Sequence, residues 1–226
     1  RDFRLAEGSV MPEATIVYET CGRLARDGRN AVLVTHGYTG SHHAAGRNPA
    51  NGHQPGSWDG LIGPGKPIDT DKLFVVASNM LGSSFGSTNA ASLNPATGKP
   101  YGPDFPAISI RDIITAQKAL LDSLGVKHLV AVAGPSYGGY QAIQWAVAYP
   151  DFMDATVPVN TAPWASINTD KQLAEVEARL ATDPEWYDGR YHGKAGCKTV
   201  LTEIRIETLK RYGIEANLAS RYPDPA

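Results

Sequence analysis

The chain has 226 residues, 42% of them hydrophobic and 19% charged, the composition of a globular domain long enough to bury one sizeable core. Its 21 basic and 23 acidic residues leave a formal charge of −2, which removes the electrostatic case for nucleic acid or an anionic membrane as partner. No run approaches the roughly 18 apolar residues of a membrane span and no signal-like segment precedes the first elements; the expectation is a cytoplasmic protein, with Arg1 in the place of a methionine pointing to a removed upstream piece.

In chain order, residues 14–18 (ATIVY) and 31–35 (AVLVT) have strand length and β-branched content. Residues 37–67 then run without clear periodicity through Gly, Pro, Asn and Ser, and a loop of that length inside a compact domain is usually functional. A third strand, 74–78 (FVVAS), precedes a second such stretch at 82–106. Ile110, Ile113, Ile114, Leu120, Leu121 and Leu124 recur at helical spacing, and Gly125 marks the stop. Strand 129–133 (LVAVA), a helix over 137–149 closed by Pro150, and strand 155–159 (ATVPV) follow. Three of these runs are almost continuously apolar, as strands covered on both faces are, and their alternation with helices predicts a mostly parallel α/β sheet. After Asn160 the strand pattern stops. Residues 169–182, 198–211 and 214–221 read as helices, broken at Asp183-Pro184 and Tyr212-Gly213. The expected division is therefore an α/β core over residues 1–166 and the start of a helical lid over 167–226.

Chemistry concentrates at Gly134-Pro135-Ser136-Tyr137-Gly138, a G-x-S-x-G match placed after a strand and before a helix. On such a turn a serine hydroxyl stands clear of the backbone while the helix start presents N–H groups to developing negative charge. The competing reading is a glycine-rich turn with an N-capping serine. Thr35-His36-Gly37-Tyr38 follows the strand whose loop supplies the second oxyanion donor in this architecture, so the backbone N–H groups of Tyr38 and Tyr137 are the expected oxyanion hole. His36 is expected to shape its loop, not to act as the base. His42, His43 and His53 share one loop without metal-ligand spacing, Gly63-Pro64-Gly65-Lys66 lacks the P-loop pattern, and Cys21 and Cys197 form no paired motif, so neither a metal nor a disulfide framework is expected.

With these elements placed, the chain resembles the homoserine O-acetyltransferase family of α/β-hydrolase-fold enzymes. The stretches YETCGRL, NAVLVTHGYTGSHHAAG, WDGLIGPGKPIDTDKLFVV, NMLGSSFGST, NPATGKPYGPDFP and GPSYGGYQAIQWAVAYP carry the resemblance, which runs from about Tyr18 to Trp186. It implies Ser136 as nucleophile in a ping-pong reaction that takes an acyl group from acyl-CoA, a co-substrate and not a bound cofactor. The group then passes to a small hydroxyl- or amine-bearing acceptor.

Departures from the family pattern bear on the substrate. Around the nucleophile the family reads G-G-S-M-G-G-M, whereas Pro135, Tyr137 and Tyr140 stand here. Glu177 occupies the position of the family's acceptor-binding arginine, with Arg179 two residues on and about 200° round the helix. Tyr140, Glu177 and Arg179 are thus expected at the substrate, the acceptor is expected to differ from homoserine, and ester or amide hydrolysis stays open. The fold's order of nucleophile, acid, histidine finds only His192 after Ser136. The triad Asp and His, and the last strands of the sheet, are expected from a companion C-terminal segment or chain; a homo-oligomer stays open. Failing such a segment, the remaining reading is a non-catalytic binding protein.

Overall fold

The structure, a computed structural model, describes residues 1–49, 52–164 and 169–221. It forms two compact units, one comprising Arg1–Lys99 with Phe105–Ala165, the other Pro100–Asp104 with Ser166–Ala226. The expected division between residues 166 and 167 lies outside the described residues.

In the first unit, β1 (Phe3–Arg4) and β2 (Val10–Met11) form an antiparallel ribbon. The main sheet takes β3 (Tyr18–Cys21) and β4 (Ala31–Val34), while β5 (Ile62–Gly63) and β6 (Ile68–Asp69) pair in parallel in the connection between β4 and the next strand of the sheet. It continues with β7 (Phe74–Ser78), then, after helix α1 (Ile110–Ser123), with β8 (Leu129–Pro135) and, after α2 (Tyr137–Ala148), with β9 (Met153–Val159). The order across the sheet is β3-β7-β4-β8-β9, parallel throughout except for β3, which runs antiparallel to β7.

Residues 14–17, expected as most of the first strand, lie outside this ladder. The N–H groups of Thr15 and Val17 donate to side chains of the 82–106 loop, Thr88 Oγ1 at 2.8 Å and Ser87 Oγ at 3.1 Å, so regular pairing begins only at Tyr18.

Every residue of β4 and β7 is buried, and the two-residue period sends alternate side chains to opposite faces. Ala31, Leu33, Phe74 and Val76 join Ile114, Leu121 and Trp145 in one cluster. Val32, Val34, Val75 and Ala77 meet Ala44, Ile62 and Trp58 on the other face, so the 37–67 connection is itself part of the core. A capping box starts α1: Asp112 N–H donates to Ser109 Oγ, and Ser109 N–H donates to Asp112 Oδ2. Gly125, at φ +81°, turns the chain out of it.

Among the described residues β9 pairs only with β8. Its residues from Asp154 to Val159 are exposed, Val157 and Val159 among them, which leaves the apolar edge expected of a sheet without its last strands.

The second unit carries α3 (Thr169–Leu180), α4 (Lys198–Arg211) and α5 (Ile214–Arg221). Asp183, buried after α3, accepts from the N–H groups of Glu185 and Val200, and Arg190 pairs with Asp104 at 3.1 Å. No helix among the described residues is long and apolar enough to cross a membrane.

Ile114 is fully buried between the sheet and α2. Ile114→Ala is expected to cost about 2–5 kcal/mol in urea unfolding followed by tryptophan fluorescence. Leu93→Ala, at a residue 64% exposed, is expected to stay within about 0.5 kcal/mol of the parent.

Candidate active site

Parallel pairing of β4 with β8 sets the carboxyl ends of the two strands side by side, and the site grows from that junction. Val34 lies opposite Ala133. One residue on, Thr35 N–H donates to Ala133 O at 2.9 Å and Thr35 Oγ1 donates to Gly138 O at 2.8 Å, tying the end of β4 to the first turn of α2. A Cβ built on Gly37 would lie 3.8 Å from Ser136 Cβ, so the loop that contains Tyr38 passes directly beside the serine.

Ser136 occupies the β8–α2 turn at φ 52°, ψ −120°, a region that L-residues rarely adopt. Its side chain makes no capping hydrogen bond, which sets aside the N-cap reading. The turn is held instead by backbone: Ser136 N–H donates to Val159 O at 2.9 Å, and Ser136 O accepts from Gly139 N–H and from Thr161 Oγ1. Flanking glycines are a steric requirement. A Cβ on Gly134 would lie 2.0 Å from Thr35 Oγ1 and 2.7 Å from the Gly138 carbonyl carbon, and one on Gly139 would lie 2.2 Å from Thr161 Oγ1.

The N–H groups of Tyr38 and Tyr137 donate to no protein acceptor among the described residues. Two unclaimed donors beside a strained serine suit an oxyanion. The rings of these residues meet edge to face, 6.2 Å between centroids, and Tyr140 extends the row at 6.3 Å from Tyr137. Burial, with Tyr38 as a smaller contribution, pushes the Tyr137 hydroxyl above its ordinary pKa, so it stays neutral.

Both nitrogens of His36 are committed. Met80 N–H donates to Nε2 at 3.1 Å, and Nδ1 then carries the proton and donates to Gly37 O at 2.8 Å. Burial lowers its pKa below the ordinary histidine value. A neutral ring fixed at both ends is a brace for the loop, not a base, as expected from the sequence.

Sequence reasoning did not find the buried amide chain behind this brace. Trp145 Nε1 donates to Gln117 Oε1 at 2.7 Å, and Gln117 Nε2 to Gln141 Oε1 at 2.8 Å. Gln141 Nε2 donates to His36 O at 3.2 Å and lies 2.9 Å from Met80 Sδ. The signal was present as two glutamines at core positions of apolar helical stripes, Gln117 following Ile113 and Ile114 and Gln141 four residues before Trp145.

Ser136, Tyr38, Tyr137 and Tyr140 are thus brought together in the first unit. Glu177 and Arg179 belong to the second, where Arg179 grips Glu207 with two hydrogen bonds of 2.7 and 3.0 Å while Glu177 is exposed. His192, also in the second unit, packs its ring against Tyr191. No group of three or more His, Cys, Asp or Glu able to hold a metal occurs among the described residues, and both cysteines are free.

A sharp strand–serine–helix turn on a parallel sheet defines a class. Residues 30–195 match the family model described as the alpha/beta hydrolase fold, and the chain belongs to that family. Within it, the chain is 50% identical over 207 residues to a homoserine O-acetyltransferase of Moorella thermoacetica, covering 90% of this chain and 54% of that protein. It is 45% identical over 185 residues to a homoserine O-succinyltransferase of Halorhodospira halophila, covering 82% and 48%. Among solved structures it is similar to esterase E22, with 36% identity and a TM-score of 0.78 over 93% of this chain and 62% of that one. The resemblance carried by the motifs is borne out. The chain spans about half the length of the curated relatives it matches.

Gly134→Ala is expected to lower stability by about 1–3 kcal/mol in urea unfolding, because the Gly138 carbonyl must move to admit the methyl group. His36 gives a pH signature. Because its folded pKa is depressed, its contribution to stability is present above about pH 6.5 and is lost as pH falls below that value. His42, lowered chiefly by burial, acts in the same direction; His43 opposes it, since contacts to the Gln54 carbonyl and Glu19 outweigh its burial and raise its pKa. The difference between the parent and His36→Gln isolates the term: the parent's advantage should shrink from about pH 7.5 to about pH 5.5 in thermal melts.

Proposed function

We propose that this chain carries the nucleophile of a serine acyltransferase. The observation that carries the reading is Ser136 at φ 52°, ψ −120°, its side chain free of capping duty, beside the unclaimed N–H groups of Tyr38 and Tyr137. Ser136 Oγ attacks the carbonyl carbon of an acyl-CoA thioester, and its proton passes to a histidine base. The two N–H groups hold the oxyanion. On collapse the C–S bond breaks, and the CoA thiolate takes the proton back from the imidazolium. A small hydroxyl- or amine-bearing acceptor then attacks the acyl-serine with the same base removing its proton; the C–Oγ bond breaks and the imidazolium returns the proton to Ser136 Oγ.

The base and its orienting Asp are placed in a segment outside these 226 residues, which would also cover the exposed β9 edge. Support comes from the acyltransferase names of relatives about twice as long as this chain, and from His36 being fixed at both nitrogens. Tyr140, Glu177 and Arg179 remain the proposed substrate contacts, and the cytoplasm the proposed compartment.

A second reading, ester hydrolysis with water as acceptor, is favoured by the similarity to esterase E22 and by the occupation of Arg179 with Glu207. The complete protein, incubated with acetyl-CoA and separately with p-nitrophenyl esters, separates the two. Label on Ser136 from acetyl-CoA, with turnover only when an acceptor is added, supports transfer. Rapid ester turnover without CoA or acceptor supports hydrolysis. Ser136→Ala should abolish the label in both cases and leave only the residual rate of binding and the oxyanion hole.

A further inference from the structure

Beside Ser136 the first unit contains a cleft of about 510 Å³, within the range of small-molecule sites. Tyr38 and Tyr137, the two oxyanion residues, form one wall, and Met80, Leu81, Phe85 and Ile108 are its main apolar lining. None of its twelve lining residues carries a charged side chain, and the Tyr137 hydroxyl is kept neutral by burial. The far wall is held in place: Ser83 Oγ donates to Met80 O at 3.0 Å, Asn79 Nδ2 to Ser84 O at 2.6 Å, and Asn89 Nδ2 to Ser83 O at 2.9 Å.

We propose that this cleft receives the substituent of the acyl group on Ser136, and that the preferred acyl group is an uncharged chain longer than acetyl; the proposal rests on the acyl-enzyme reading above. The carbonyl oxygen of such an intermediate points at the Tyr38 and Tyr137 N–H groups. The carbonyl carbon then sits against the wall these residues share, and its substituent runs into the adjoining space. Acetyl leaves most of that apolar lining wet. Each added methylene removes apolar surface from water, worth roughly fourfold in kcat/KM at ~0.8 kcal/mol per methylene. A chain ending in a carboxylate would place an anion among uncharged side chains, with no cation among the described lining residues to offset its desolvation. The cleft therefore discriminates against succinyl-type donors on charge and against acetyl on length.

The test is a chain-length and charge series on the complete protein: p-nitrophenyl acetate, butyrate, hexanoate and hemisuccinate. kcat/KM is measured for each, and mass spectrometry locates the acyl group. The expected result is a rise of roughly fourfold per methylene from acetate to hexanoate, with hemisuccinate at least about tenfold below butyrate. Ile108 is only half-buried. Ile108→Trp, which fills the cleft, should reverse the chain-length order; Ile108→Arg should raise hemisuccinate relative to butyrate. If Ser136 is acylated by every donor but acetate is the best, or hemisuccinate matches butyrate, the cleft assignment is overturned while the acyl-enzyme reading stands. If no donor acylates Ser136, that reading fails and the assignment with it. Should the Ile108 variants not fold, the parent series decides alone.

Discussion

The approach of β4 to the start of α2 admits no side chain between them, and the rest of the site depends on that closeness. Gly134 and Gly138 pack against Thr35 and the His36 backbone at distances where a Cβ would overlap, at 2.0 Å from Thr35 Oγ1 for Gly134 and 2.9 Å from Thr35 O for Gly138. Because β4 and β8 run parallel and, past a register shift between Ala31 and Val32, pair steadily up to Val34 and Ala133, their carboxyl ends open on the same edge, where α/β sheets bind ligands. The elbow and the oxyanion loop are thus two consequences of one contact. The strain at Ser136, of order 1–3 kcal/mol for such a backbone, is sustained by hydrogen bonds with the backbone of Val159 and Gly139 and with the Thr161 hydroxyl.

Behind the loop, polar groups are buried in a connected chain instead of being excluded. Trp145, Gln117 and Gln141 pass hydrogen bonds from the core to the His36 carbonyl, and His36 links that carbonyl's neighbour to the Met80 amide. A network of this kind favours one geometry, since any partial loss leaves a buried amide unpaired. Its effect is to fix the backbone just before Tyr38, whose exposed ring adds the edge contact with Tyr137. Met80 joins brace and cleft, its N–H bound to His36 Nε2 while the residue also lines the apolar space.

Much of the sheet was legible in the sequence because β4, β7 and β8 are buried on both faces and read as continuous apolar runs. Helices α1, α2, α4 and α5 lay within a residue or two of their expected bounds, with Gly125 after α1, Pro150 after α2 and Gly213 after α4 marking the breaks. Residues 14–17 misled because the N–H groups of Thr15 and Val17 donate to the Thr88 and Ser87 side chains, and such partners leave no periodic trace. The role of 37–67 as core was also hidden: Ala44, Trp58 and Ile62 reach the sheet from irregular backbone, where no period marks the buried positions. At the site, Ser136 was legible because steric demand writes itself as glycines at fixed spacing. Of the amide chain only the burial of Gln117 and Gln141 left a trace, since a glutamine at a core position of a helical stripe does not reveal its hydrogen-bond partner.

Everything above turns on Ser136 being positioned so that the N–H groups of Tyr38 and Tyr137 meet an oxygen bound to it. A crystal structure of the complete protein after reaction with an alkyl phosphonate, a tetrahedral mimic of the acyl-transfer intermediate, measures this directly. The expected result is phosphorus bonded to Ser136 Oγ and a phosphonyl oxygen about 2.7–3.1 Å from both nitrogens. An adduct on another residue, or a phosphonyl oxygen turned away from Tyr38 and Tyr137, would contradict it.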